Sequence, residues 1–274
     1  MNSLLTVANW VLPLLYLALM VDYGATFFLR VRVSSKGRGI GAVVLVHAAF
    51  FVLRAAHLRQ LPLTNAYDIL SLVALSTAAV YWLLERAGRD RRAGLFVFLL
   101  VFLFQYTASV FLAHTIGAGT AVRSGAYGWD QLHVIPAVLA YTAISLAGVY
   151  GVLELVTQRN LKRHRFGLLF DRLPPVELLG KMIWCALLVG FCFLTISVAT
   201  GPFLFAHSQP NPTAPFWKAK VAVKIILGSI AWVICLTALA GKILRRWPIR
   251  TVSVVAVIDF VTVLALLISS AVLS

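Results

Sequence analysis

Long apolar runs, separated by short polar connections, dominate the hydropathy pattern of the chain. The runs lack the strict apolar and polar alternation of barrel strands, and each is about 20 residues long. At a rise of about 1.5 Å per residue, a helix of this length crosses a hydrocarbon core of roughly 30 Å. The pattern predicts eight helices, at about residues 4–29, 39–58, 66–85, 93–116, 130–156, 177–200, 218–241 and 250–273.

The composition supports the same class. Hydrophobic residues make up 61% of the chain, charged residues only 12%, and the mean hydropathy is +0.92. These values lie outside the range of soluble domains, and only helices or closed barrels satisfy every backbone polar group in lipid. We therefore expect an all-α polytopic protein in a lipid bilayer, folded as a single transmembrane domain over 1–274.

The net charge of +15 reflects the distribution of basic residues among the loops. Eighteen of the 24 lysines and arginines fall on one predicted side, between helices one and two, after three, after five and after seven. The positive-inside rule makes that side cytoplasmic, so both termini face outward. Basic residues that are distributed over several loops, and not gathered on one face, argue against nucleic-acid binding. The first helix lacks a basic leader region and is expected to be a retained span.

Several polar side chains interrupt the apolar runs. His47, Arg54 and His57 share one face of the second helix, because their spacings of seven and three match a period of 3.6. Such a face suits a haem and its propionates, although a lone intramembrane histidine is often only a hydrogen-bonding residue between helices. Lys224 and Asp259 could form an interhelical ion pair. The three cysteines fall inside predicted helices, where small buried side chains are the favoured interpretation.

The segment Leu61-Pro62-Leu63-Thr64-Asn65-Ala66-Tyr67-Asp68 opens the third helix. Thr64 or Asn65 can cap the helix, and Asp68 can interact with the helix dipole. A second segment, Leu132-His133-Val134, precedes a helix with Ala140 and Tyr141, and a third reads Gly190-Phe191-Cys192-Phe193-Leu194-Thr195-Ile196-Ser197 and ends at Gly201. In order and spacing, the three segments resemble motifs of the cytochrome c assembly family, which includes CcsA, ResC and CcmC relatives.

This resemblance implies a membrane protein that binds haem b at the outer membrane face and presents it for attachment to apocytochrome c. His133 matches the family's haem-ligating histidine, and His207 is a second candidate metal ligand. The other candidate cofactor-binding residues are His57, His114, His47, Trp129, Trp217 and Arg54. Histidine is a common axial ligand of haem iron, tryptophans could cover the porphyrin, and arginine pairs with propionates.

The chain departs from the family pattern after Gly201, where the tryptophan-rich segment ending in Trp-Asp is missing. This departure fits the shorter HemX and YpjD branch. The expected location is the bacterial inner membrane. We expect a haem-handling or assembly factor, and a self-contained enzyme is less favoured because no hydrolytic or transferase site is readable.

Two other classes remain open. One is a non-catalytic accessory or scaffold subunit that keeps the fold and has lost the ligands. The other is a haem b electron-transfer subunit of a respiratory complex, although such subunits place histidine pairs at depth and only His47 is clearly at depth here.

Overall fold

The computed structural model describes residues 2–29, 38–63, 65–88, 91–114, 127–164, 167, 172–207 and 215–272. At 38, 127–131, 202–207, 215–220 and 272 it describes the backbone alone. The described residues form eight long helices: α1 (Asn2–Leu29), α2 (Arg38–Leu58), α3 (Ala66–Gly88), α4 (Gly94–Leu112), α5 (Tyr127–Lys162), α6 (Val176–His207), α7 (Pro215–Leu244) and α8 (Ile249–Val272).

The expected all-helical, multi-pass membrane architecture is confirmed. All eight helices are long and apolar enough to cross a bilayer, and the described residues contain no strand. Helices α5, α6 and α7 extend beyond the apolar runs that predicted them. The reason is that a helix continues into polar sequence such as Arg159 and Lys162, whereas hydropathy detects only the part that is compatible with lipid. The prediction that both termini face outward stays a prediction.

The helices form two compact units. The first contains residues 1–122 and 166–174, and the second contains residues 123–165 and 175–274. In the first unit α1 packs against α2 and α4, and α3 packs against the same two helices. In the second unit α5 packs against α6 and α8, and α7 packs against the same two helices. Each unit is thus a ring of four helices that follow one another in the chain.

Arg172 and Leu173, which lie shortly before α6, are attached to the first unit. The Arg172 guanidinium donates a hydrogen bond of 2.7 Å to the carbonyl of Phe27, near the end of α1. An arginine suits this position because the last carbonyls of a helix lack intrahelical donors and carry the negative end of its dipole. Leu173 is buried and its carbonyl accepts a hydrogen bond from Arg92, so both residues belong structurally to the first unit.

Close approach of α5 and α8 in the second unit depends on glycine. A Cβ atom placed at Gly148 would overlap Cβ and the ring of Phe260, and one at Gly151 would lie 3.0 Å from the carbonyl oxygen of Ser253. Small residues allow membrane helices to pack backbone against backbone, where dispersion replaces the hydrophobic driving force.

We therefore expect Gly148→Ala to lower the free energy of unfolding by about 1–3 kcal/mol, because the Cβ of Phe260 is fixed to its backbone and cannot move aside. Thermal or denaturant unfolding in mild detergent measures this change. Gly228→Ala is the matched control, since a Cβ at Gly228 meets no atom within 4 Å and should be neutral or stabilising. Equal effects of the two substitutions would contradict the packing of α5 on α8.

Candidate functional site

His133 lies near the start of α5 and is held by α6. Its Nδ1 atom lies 2.9 Å from the carbonyl oxygen of Ser197. A carbonyl oxygen can only accept, so Nδ1 carries the proton and donates it. In the neutral ring Nε2 then carries the lone pair. This is the arrangement by which proteins orient a histidine that binds a metal through Nε2.

One face of α6 surrounds the imidazole. Ser197, Thr200 and Gly201 are spaced three and four residues apart, and therefore project to the same side of the helix. Their hydroxyl oxygens lie 3.4 Å (Ser197) and 3.5 Å (Thr200) from Nδ1 of His133. A Cβ atom at Gly201 would lie 3.4 Å from Cε1 of His133, so this glycine leaves room for the ring edge.

Three predicted site residues have described backbones and undescribed side chains. Trp129 lies one helical turn before His133 on α5, His207 ends α6 six residues after Gly201, and Trp217 lies near the start of α7. Since α5 packs against α6 with His133 beside Gly201, the backbones of His133, Trp129 and His207 belong to the same end of the second unit. Their side-chain arrangement lies outside the described residues.

The two other candidate histidines near helix ends, His57 and His114, lie in the first unit. His57 is half-buried in the last turn of α2. His114 follows α4, is exposed, and its Nδ1 lies 3.2 Å from the carbonyl of Val110 one turn earlier. That bond satisfies a carbonyl at a helix end, which gives His114 a local structural role. Across the described residues, no three histidine, cysteine or acidic side chains group together as a metal site.

His47 is fully buried in the first unit, between two hydroxyl groups. Its Nε2 lies 3.0 Å from the hydroxyl of Ser71, which itself donates to Oε1 of Gln105 at 2.9 Å. Nε2 must therefore donate to Ser71, and the Nδ1 lone pair accepts from the hydroxyl of Tyr16 at 2.9 Å. Both ring nitrogens are engaged within the protein, so the structure favours the interhelical hydrogen-bonding role over iron ligation.

The same hydrogen-bonded chain continues across α4 to α1. Gln105 donates from Nε2 to the hydroxyl of Ser109, which donates to the backbone carbonyl of Asn9 at 2.8 Å. The Asn9 side-chain amide returns a hydrogen bond of 2.8 Å to the carbonyl of Ser109. The donors from Tyr16 to Ser109 all point towards Asn9, and only the Asn9 amide donates in the reverse direction. All four helices of the first unit contribute. The chain joins these helices by directional bonds that apolar packing alone cannot provide.

Arg54 pairs with Asp68 of α3. The guanidinium Nε lies 2.5 Å from one carboxylate oxygen, Nη2 lies 3.2 Å from the other, and the two side chains are only 5% and 4% exposed. This two-point contact favours a structural ion pair over propionate binding for Arg54. Asp68 also lies in the first turn of α3, as the predicted interaction with the helix dipole requires. Asn65 is a cap, since its Oδ1 accepts from the amide of Tyr67, while Thr64 lies outside the described residues.

The expected Lys224–Asp259 ion pair does not form. The α7 residue beside Asp259 is Cys235. Lys224 precedes Cys235 by eleven positions, which is about 16 Å along a helix. The prediction was wrong because the depth of each residue was counted separately within its own helix. The short connection between α7 and α8 makes these helices antiparallel, and this arrangement determines which residues meet.

The Arg54–Asp68 pair gives a direct test of the first unit. Asp68→Leu alone should cost about 3–5 kcal/mol of unfolding free energy, because it leaves a buried guanidinium without its partner. The double variant Arg54→Met/Asp68→Leu should recover most of that loss. Unfolding of both single variants and the double variant in detergent measures the coupling. Strictly additive losses would contradict a buried pair.

Comparison with protein families matches residues 63–274 to the cytochrome c assembly protein family. Comparisons with curated proteins and with solved structures find no match. The match covers most of the chain, including α3 to α8 and both helices that hold His133. The protein is therefore a multi-pass member of the cytochrome c assembly protein family, with a role in cytochrome c biogenesis at a membrane.

Proposed function

We propose that this protein binds haem b at the outer membrane face through His133 and holds or presents it for cytochrome c biogenesis or haem trafficking. The observation that carries the proposal is the bond from Nδ1 of His133 to the carbonyl of Ser197. That bond sets the tautomer and the ring orientation that an axial imidazole ligand needs. When bound, the haem would supply a redox-active iron, and the residues described here would bind and orient it.

His207 is the proposed second ligand, because α6 carries both His207 and the residues that contact His133. Trp129 and Trp217 are proposed to cover the porphyrin, as tryptophans do where one face of a ring meets an apolar ligand. His57 and His114 remain secondary candidates. His47 and Arg54 are proposed to stabilise the first unit, since each is engaged by neighbouring helices.

The positive-inside distribution supports placing the His133 end of the second unit on the outer side of a bacterial inner membrane. Apocytochrome c is the proposed partner there, with other membrane subunits of an assembly complex as the alternative. The missing Trp-Asp signature after Gly201 supports assignment to the HemX and YpjD branch. On this proposal the protein is an assembly factor, and no residue is assigned a catalytic role.

We expect protein purified in mild detergent from a haem-replete host to contain near-stoichiometric haem b, and His133→Ala to retain less than about a tenth of it. A pyridine haemochrome assay and a reduced-minus-oxidised spectrum measure the haem content. His164→Ala is the matched control, because this exposed histidine follows α5 at the end opposite His133 and is not a candidate ligand. Wild-type protein without haem, or equal loss in both variants, would contradict the proposal.

Gly201 offers a second test that leaves every histidine in place. Gly201→Ala adds a Cβ at an ordinary contact distance, 3.4 Å from Cε1 of His133, and should keep the haem. Gly201→Leu should displace the imidazole and lower the haem content severalfold, because a branched side chain does not fit between α6 and the ring. Full haem in the leucine variant, with normal unfolding behaviour, would argue against ligation by His133.

A further inference from the structure

The second unit buries two carboxyl groups at different depths. Asp259 lies about halfway along α8, Glu154 lies near the end of α5, and both side chains are 0% exposed. Among the described residues, neither oxygen of Asp259 has a hydrogen-bond partner, and Oε2 of Glu154 also has none. Buried polar groups without partners are rare, and acids inside membrane bundles usually serve a function.

Val252, Ala256, Val263 and Leu266 share the buried side of α8 with Asp259, and Ser253 is the other buried polar residue described on this helix. The thiol of Cys235 lies beside the carboxyl group, but its hydrogen is directed to the carbonyl of Leu187 at 3.5 Å. Cys192 of α6 is the other titratable group near this thiol. An ionised carboxylate in such a place, without a cation, would cost several kcal/mol. Burial therefore favours the neutral, protonated form of Asp259 over the ionised form.

Glu154 connects the interior with one end of the unit. Its Oε1 accepts from the side chain of half-buried Gln158, and the exposed guanidinium of Arg250 acts on it electrostatically. Ser253 lies beside the carboxyl group, yet its hydroxyl donates to the carbonyl of Ile249 at 2.9 Å. Glu154 is thus the first buried acid met from the Arg250 end.

The two acids share the region where α5 and α8 pack most closely. The backbone of Ser253, beside Glu154, lies against Gly151, and Phe260, next to Asp259, lies against Gly148. Ser253 and Asp259 are six residues apart on α8, which is about 9 Å along the axis. Both acids have carboxyl oxygens without protein partners among the described residues, and such oxygens are the groups that buried waters satisfy.

We propose that Glu154 and Asp259 form a buried proton-exchange path that opens at the Arg250 end of the second unit. Glu154 takes a proton from water at that end. The protonated Glu154 then gives its proton to ionised Asp259, which leaves Glu154 ionised and Asp259 neutral, so that the charge and the proton exchange places. The reverse transfer releases the proton along the same route. The proposal concerns proton exchange alone and is independent of haem binding.

Infrared spectroscopy of the detergent-solubilised protein tests the path directly. A protonated carboxyl group has a C=O stretch that is separate from the carboxylate bands and shifts when its proton exchanges with deuterium. We expect Asp259→Asn to remove one such band. In Glu154→Gln the band should remain, and its exchange after transfer to D₂O should slow by at least about tenfold, because a relay group has been removed.

Two further variants keep the test decisive. Glu177→Gln makes the same chemical change at an exposed acid of α6 in the same unit, and should leave the exchange rate unchanged. Cys235→Ala alters the group beside Asp259 and should shift the band position, which assigns it even where Asp259→Asn folds poorly. A band that is unaffected by substitution of either Asp259 or Cys235 would contradict the protonation of Asp259. Equal exchange rates in Glu154→Gln and wild type would overturn the route through Glu154.

Discussion

Burying a polar atom without a hydrogen-bond partner in an apolar helix bundle costs free energy, and the requirement for partners organises the first unit. Hydrophobic packing alone would not determine which helices pair, because lipid tails and leucine side chains offer similar apolar surroundings. The chain from Tyr16 through His47 to Asn9 removes that freedom, since each donor has one acceptor on a particular helix. The Arg54–Asp68 pair adds a second fixed contact between α2 and α3.

The same requirement separates the histidines by role. Ser71 and Tyr16 occupy both nitrogens of His47, so this residue is part of the core. At His133 a backbone carbonyl fixes the proton on Nδ1 and turns Nε2 into the acceptor atom. A backbone carbonyl is a partner that no side-chain substitution on α6 removes. This bond gives His133 a defined orientation near one end of the second unit, as the proposed ligation of haem iron requires.

Much of the architecture could be predicted from the sequence, because a run of about 20 apolar residues permits few structures in lipid. The family could be predicted as well, from short motifs whose order was informative. The partners of buried polar groups could not be predicted. A face shared by His47, Arg54 and His57 looked like a ligand site, whereas Asp68 and Ser71 on the next helix supply partners for Arg54 and His47. Helical periodicity shows which residues share a face, and it does not show which helix that face meets. The contact between Asp259 and Cys235 was missed for the same reason.

Rescue of His133→Gly by free imidazole tests the central claim most directly, because it separates iron ligation from a purely structural role. Removing the side chain opens a space between α5 and Gly201, and an added imidazole can bind the iron there without any covalent link to the helix. The account predicts that the variant is purified without haem, and that imidazole with added haem restores a reduced-minus-oxidised spectrum close to that of the wild type. A variant that keeps the wild-type haem content without imidazole would contradict ligation by His133. Failure of imidazole to restore any haem to a folded variant would contradict it equally.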